Sequence, residues 1–257
     1  MICLIAGTKD AENILDILNK YTDDIAVSTA TAYGSSLIEN YKVKVINSHP
    51  LDEDDMKKWI KKNNINLLID ASHPYAKSVS ENAENVCECL NIEYIRYQRK
   101  GVLEDKKDDF IIRTSSYIEA YEASKGMNGN ILNTTGSNNA EKFKSDDFKY
   151  RMILRVLPNE HVIKKVRDAG YNVEDIIAMK GPVSKKLEEA FIDFYNVKAL
   201  ITKDSGIYGG ALEKYEACRE KNIKLIIIER PYVTYKNYFY EYDELEKYLK
   251  EKIKSDF

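Results

Sequence analysis

The chain has 257 residues, 44% of them hydrophobic, which is enough for one large domain or two of modest size. Thirty-nine basic residues stand against 42 acidic ones, a formal charge of -3 with the signs well mixed, and the sequence has no basic stretch of the kind nucleic acid needs. No apolar run approaches the roughly 20 residues of a membrane-spanning helix, and Cys3, Cys87, Cys89 and Cys218 match neither a disulfide framework nor a zinc spacing.

The start, Met1 to Ala6, lacks a basic leader region and reads as a buried strand. The thiols are expected to stay reduced in a cytoplasmic protein. Gly7-Thr8-Lys9-Asp10 is the first turn, and Ala11 to Lys20 carries Ile14, Leu15 and Leu18 at helical spacing. The turn is not GxGxxG, so Thr8 beside a cofactor phosphate and a plain strand-to-helix turn both fit. A second strand, Ile25 to Thr29, runs into Ala30-Thr31-Ala32-Tyr33-Gly34. The acidic residue of NAD enzymes and the arginine of NADP enzymes are both missing at this strand end.

Tyr41 to Ile46 reads as a strand. Asp52 to Lys62 reads as a helix with early acids and late lysines, as its dipole favours, and Trp59 is assigned to the core. Ile65 to Ile69 is a buried strand ending in Asp70-Ala71-Ser72-His73-Pro74-Tyr75-Ala76. Pro74 suits a first helical turn, and the helix is expected to run to Leu90. His73, helped by Asp70, could donate a proton or a hydrogen bond to a ligand. Alternatively, Ser72 or His73 caps the helix and Asp70 forms a turn.

Asn91 to Arg96 is expected to close the first half, and charged Gly101 to Asp109 reads as a linker. Strands follow at Phe110 to Arg113, Asn130 to Asn133, Tyr150 to Leu157 and Ile176 to Met179. Helices are predicted at Tyr117 to Ser124, Glu160 to Ala169 and Ser184 to Phe194. Thr134-Thr135-Gly136-Ser137 could hold a phosphate or carboxylate, or only cap a helix. Arg155 lies in an apolar run, where an unpaired charge is costly; a substrate carboxylate and a structural ion pair are equal candidates as partner.

A strand from Val197 leads into Lys203-Asp204-Ser205-Gly206-Ile207-Tyr208-Gly209-Gly210. A helix, Ala211 to Lys221, and a strand, Ile223 to Glu229, come next. The glycines let a backbone approach a ligand, while Lys203, Asp204 and Ser205 supply a charge, an acceptor and a hydroxyl. Leu68 to Arg96 and Leu200 to Arg230 echo one another, each a strand, polar loop, helix, Asn-Ile and strand. The expected fold is therefore α/β: two Rossmann-like parallel-sheet domains, 1–104 and 105–257, with an interdomain cleft bordered by the polar loops. Tyr238 to Tyr242 is ambiguous, and Asp243 to Ile253 is a terminal helix.

With Asp70-Ala71-Ser72-His73-Pro74-Tyr75-Ala76, Lys203-Asp204-Ser205-Gly206 and Glu229-Arg230-Pro231 together, the chain resembles the precorrin-6A reductase family of cobalamin biosynthesis. Ile5-Ala6-Gly7-Thr8, Thr134-Thr135-Gly136, Arg155 and Lys180-Gly181-Pro182 match further family positions in order, although Ala6 and Asn13 depart from the family pattern. The resemblance implies hydride transfer from a nicotinamide to a corrin precursor, reducing one macrocycle double bond. Its anaerobic branch implies cobalt-precorrin-6A and NADH; the aerobic branch implies the metal-free substrate and NADPH.

On this resemblance His73, Lys203, Asp204 and Ser205 are the catalytic candidates. Gly7, Thr8, Thr29, Tyr33, Gly34, Asp70 and Ser72 would hold the cofactor, and Thr135, Gly136, Arg155, Lys203 and Gly206 the substrate. No metal site, membrane or nucleic acid is expected, and product handover to neighbouring pathway enzymes is possible. The alternative is a non-catalytic nucleotide- or tetrapyrrole-binding protein of the same pathway.

Overall fold

The computed structural model describes the chain except residues 8, 31, 37, 145–147, 232–234 and 257; at 32, 33, 255 and 256 it describes the backbone alone. The chain divides into two units. Unit 1 is Met1–Lys100 with Pro231–Phe257, and unit 2 is Gly101–Arg230.

Unit 1 alternates strand and helix: β1 (Ile2–Ala6), α1 (Asp10–Leu18), β2 (Ile25–Thr29), α2 (Ala32–Ser36), β3 (Val45–Asn47), α3 (Glu53–Lys62), β4 (Leu67–Ala71), α4 (Lys77–Leu90) and β5 (Glu93–Tyr97). The chain then builds unit 2 and returns with β12 (Tyr238–Phe239) and α9 (Tyr242–Asp256). All pairings are parallel, in the order β3-β2-β1-β4-β5-β12. Renumbered within the unit this is 3-2-1-4-5-6, the doubly wound dinucleotide-binding order. Side chains alternate across β1. Ile2 and Leu4 pack with Leu15 and Leu18 of α1 and Leu245, Leu249 and Ile253 of α9, while Cys3 and Ile5 pack with Met56 and Ile60 of α3 and Val86 of α4. Trp59 packs against that second cluster, as expected.

Unit 2 contains β6 (Ile111–Thr114), α5 (Tyr117–Lys125), β7 (Asn130–Asn133), a 3-10 helix (Ser137–Phe143), β8 (Met152–Val156), α6 (Glu160–Asp168), β9 (Ile176–Ala178), α7 (Lys185–Phe194), β10 (Val197–Lys203), α8 (Ala211–Glu220) and β11 (Lys224–Ile228). Its sheet is also wholly parallel, in the order β9-β8-β7-β10-β11-β6. This is the same winding, with the sixth place taken by the unit's first strand instead of its last. The echo in the sequence is therefore positional, since β4 and β10 hold the same place in their sheets. Asn91 and Asn222, φ 52° and 49°, turn the chain left-handed after α4 and α8, a conformation asparagine tolerates better than most residues.

Several expectations need correction. Residues 231–257 belong to unit 1 and not to a domain 105–257, because β12 pairs with β5 and α9 fills one face of the first sheet. The stretch Gly101 to Asp109 before β6 is not a loose linker: Leu103 is fully buried in the core of unit 2, and Arg113 donates to the carbonyls of Leu103 and Lys106. The third strand is only Val45–Asn47. The helix after β4 starts at Lys77, so Pro74 lies in the preceding turn, and its N-cap Ala76 makes no side-chain cap bond.

Candidate functional site

In a doubly wound sheet, ligands bind beyond the carboxyl ends of the strands where the order reverses. In unit 1 that point lies between β1 and β4, so it is bordered by the turns at Gly7 and at Ser72 to Ala76. In unit 2 it lies between β7 and β10, bordered by the turns at Thr134 to Gly136 and at Asp204 to Gly210. The four polar turns singled out in the sequence therefore occupy the two switch points.

The two turns of unit 1 lie close together. A methyl on Gly7 would stand 3.3 Å from the His73 backbone nitrogen and 3.4 Å from the Ser72 Cα, so glycine permits this approach. Beneath the second turn, Asp70 is fully buried. Its Oδ1 accepts the Ser72 N–H at 2.8 Å and meets the Arg96 Nη1 at 2.7 Å, and its Oδ2 accepts the Tyr94 hydroxyl at 2.8 Å. Arg96, also buried, donates to the Asp70 and Ser72 carbonyls and to the Ser72 Oγ at 3.0–3.2 Å. Burial and the Asp70 charge push the Tyr94 phenol up, keeping it a hydrogen-bond donor.

This corrects two assignments. Asp70 does not assist His73, because its carboxylate is committed to Ser72, Tyr94 and Arg96. Ser72 likewise faces Arg96 and Ser80 inside the fold. Both build the turn that presents His73. The half-buried His73 accepts the Tyr75 N–H at Nδ1, 3.2 Å away, and its ring lies 5.6 Å from the Tyr75 ring. A neutral imidazole accepting at Nδ1 carries its proton on Nε2.

At the end of β2, Thr29 is buried, donates to the Asn47 carbonyl at 3.2 Å and shares a hydrogen with Ser35 Oγ at 2.8 Å. Gly34 lies in α2. Thr8 and the Tyr33 side chain fall outside the described residues.

In unit 2, Thr134 fastens the turn after β7 to β10, its N–H and hydroxyl both donating to the Ile201 carbonyl at 2.9 Å. Asn133 Oδ1 accepts the Thr135 N–H at 2.9 Å. Gly136 turns with φ 88°, and nothing lies within 4 Å of where its Cβ would be. After β10, Asp204 is buried; its carboxylate accepts the backbone N–H groups of Val102, Leu103 and Gly206, while its own carbonyl accepts from Arg230 Nε at 2.8 Å. Asp204 is thus reassigned from chemistry to construction of the loop. Lys203 and Ser205 are half-buried beside it, and burial pushes the Lys203 ammonium below its ordinary pKa.

Arg155 is corrected as well. Its two amino groups meet both oxygens of Glu188 on α7 at 2.9 and 2.8 Å, with both residues buried. The structural ion pair therefore takes the guanidinium. Reading the sequence also missed Lys214, whose buried Nζ donates to the carbonyls of Gly209 and Gly210 at 2.6 and 3.1 Å and so closes the loop after β10. A lysine in an amphipathic helix gives no sign of pointing inward.

Two doubly wound parallel sheets, each with glycine-bearing polar turns at its switch point, define a Rossmann-like α/β protein, a class whose ligands bind at the strand ends. In unit 1 a glycine turn follows β1 and a short helix follows β2. The chain belongs to the precorrin-6x reductase family, since the family described as "Precorrin-6x reductase CbiJ/CobK" matches residues 1–250.

The chain is 37% identical over 251 residues to the cobalt-precorrin-6A reductase of Methanocaldococcus jannaschii, covering 96% of this chain and 97% of that one. It is 31% identical over 248 residues to the cobalt-precorrin-6A reductase of Priestia megaterium, covering 95% and 96%. The solved structure "CobK precorrin-6A reductase" shares the fold, with a TM-score of 0.78 at 15% identity over 97% of this chain and 96% of that one.

Proposed function

We propose that the chain reduces one double bond of the cobalt-precorrin-6A macrocycle with NADH during cobalamin biosynthesis. It is an oxidoreductase of the CH–CH class, and its electron donor is a nicotinamide dinucleotide. The observation that carries the residue assignment is the gathering of the four polar turns at the two switch points. In this reading unit 1 holds the dinucleotide through Gly7, Thr8, Thr29, Tyr33 and Gly34, and unit 2 holds the macrocycle through Thr135, Gly136, Lys203 and Gly206.

Two features favour the finer choices. No arginine follows β2 in Thr29-Ala30-Thr31-Ala32-Tyr33 to pair with a 2′-phosphate, which supports NADH. The names of both relatives above support the cobalt-bound substrate. The nicotinamide supplies the hydride when bound. His73, held by the turn built on Asp70 and Arg96, supplies the proton for the second carbon. Lys203 meets the carboxylates on the macrocycle rim, and Ser205 lies beside it as a hydroxyl donor. The same proposal places the protein in the cytoplasm: the four cysteines are free thiols, and among the described residues no helix is long and apolar enough to cross a membrane.

The test is anaerobic absorbance with NADH and NADPH, each against cobalt-precorrin-6A and metal-free precorrin-6A. Substrate-dependent oxidation, fastest with NADH and the cobalt form, is the expected result. Binding of the macrocycle without oxidation of either donor would put a non-catalytic binding protein in its place. His73→Ala should lower turnover about a hundredfold or more while macrocycle affinity changes little. Equal loss of both would remove the proton-donor role.

A further inference from the structure

Three strand ends share one device. Asp70 near the end of β4, Asn133 at the end of β7 and Asp204 just after β10 each accept, through a side-chain oxygen, the N–H of the residue two positions on, at 2.8, 2.9 and 3.3 Å. The two aspartates place their second oxygen on protein donors, the Tyr94 hydroxyl and the Leu103 N–H. Asn133 differs, because it carries an NH2 group in place of that second oxygen. This Nδ2 has no protein partner although the residue is 0% exposed, and the hydroxyl of Thr135, 6% exposed, has none either. Buried polar groups without partners are uncommon and costly. Two of them share one strand end, at the switch point of unit 2.

The turn itself does not require asparagine, since aspartate does the same work at the other two strand ends. What asparagine adds is a donor, so the group it answers is an acceptor. The surroundings favour a negative one. Ile201 is the register partner of Asn133, and Lys203 lies two residues further along β10, at its carboxyl end. The space beside Gly136 is open.

We propose that Asn133 Nδ2 and Thr135 Oγ1 form a donor pair for one side-chain carboxylate of the macrocyclic substrate, with the Lys203 ammonium balancing its charge. The proposal rests on the reading that unit 2 holds the macrocycle, and it adds Asn133 as a residue that selects for a carboxylate at that position.

Asn133→Asp keeps the oxygen that the Thr135 N–H needs and exchanges the donor for a repelling acceptor. Thr135→Val removes the hydroxyl and keeps the backbone. Macrocycle binding is measured by absorbance titration and NADH binding by fluorescence, with the wild type first and the fold of each variant checked by circular dichroism. Each variant should weaken macrocycle binding by about tenfold to a hundredfold and leave NADH binding unchanged. Thr135→Val decides the matter alone if Asn133→Asp does not fold. Folded variants with wild-type macrocycle affinity would overturn the donor pair while leaving the reductase in place. Weakened NADH binding with unchanged macrocycle binding would overturn it too, and would move the dinucleotide to unit 2. A wild type that binds no macrocycle would bring down the substrate reading and the donor pair with it.

Discussion

Replacing Lys214 by methionine should change how stability depends on pH. The amine is 4% exposed and sits against two loop carbonyls. Burial, aided by the charges of Arg155 and Lys203 and opposed by Glu188 and Glu213, pushes its pKa down to about 8 from 10.5. The unfolded chain therefore keeps this proton to higher pH than the folded one. Below about pH 8 the buried ammonium costs stability, and the cost is relieved as pH rises from about 8 towards 10.5. By about pH 9.5 the relief amounts to ~2 kcal/mol.

Other groups titrate in the same range. The buried Cys87 thiol is pushed up to about 12, and Cys3 and Cys218 are also raised, which lowers stability as pH rises. Cys3 and Cys87 act alike in both proteins. The Lys214 charge opposes the rise at Cys218, but burial, the larger cause, keeps that thiol raised with or without the lysine. The quantity to measure is therefore the difference between wild type and Lys214→Met. Urea unfolding between about pH 7.5 and about pH 9.5 should show that difference moving by ~2 kcal/mol in favour of the wild type. A difference that stays flat would mean that the amine is solvated, and would refute the argument from burial.

Arg155→Met leaves the Glu188 carboxylate buried without its partner and should cost about 3–5 kcal/mol in urea unfolding. Adding Glu188→Met should restore most of that loss, and a single variant costing under about 1 kcal/mol would show the pair to be solvated. A chain ending at Arg230 loses Leu245, Leu249 and Ile253 from the core of unit 1. At roughly 1.5–3 kcal/mol for each side chain, that loss rivals the whole stability of a small domain. Amide exchange should then show unit 1 unprotected and the β10–β11 region of unit 2 still slow. Equal protection of both would sink the claim that α9 completes unit 1.

The strands and helices legible in the sequence are those whose signal is local. β4 and α4 could be read from the run Ile65 to Ile69 and the spacing of Val79, Ala83, Val86 and Leu90, and β10 and α8 likewise. β12 could not, because two residues have no periodicity and their partners, Arg96 and Tyr97, lie about 140 positions earlier. The same limit governs the site. The four turns announced themselves through glycine, threonine, histidine and proline at strand ends. Whether a charge in those turns faces a ligand or the protein depended on distant residues: Tyr94 and Arg96 for Asp70, Glu188 for Arg155, and the N–H groups of Val102 and Leu103 for Asp204. Asn133 read only as the last residue of a strand, because its uncommitted donor becomes visible only once its burial is known.

The return of the chain after unit 2 has a consequence for synthesis on the ribosome. Unit 2 is contiguous, so every strand of its sheet has been made once Ile228 emerges. Unit 1 is different. Its first five strands are made early, but β5 remains an open edge until the Asn237 and Phe239 carbonyls arrive to accept the N–H groups of Arg96 and Gln98. Such an edge invites pairing with another chain, and β5 also carries the arginine that holds the His73 turn. The nascent protein thus completes its second-encoded unit first, and the turn bearing His73 gains its full support only from residues 237–239, which are translated after all of unit 2.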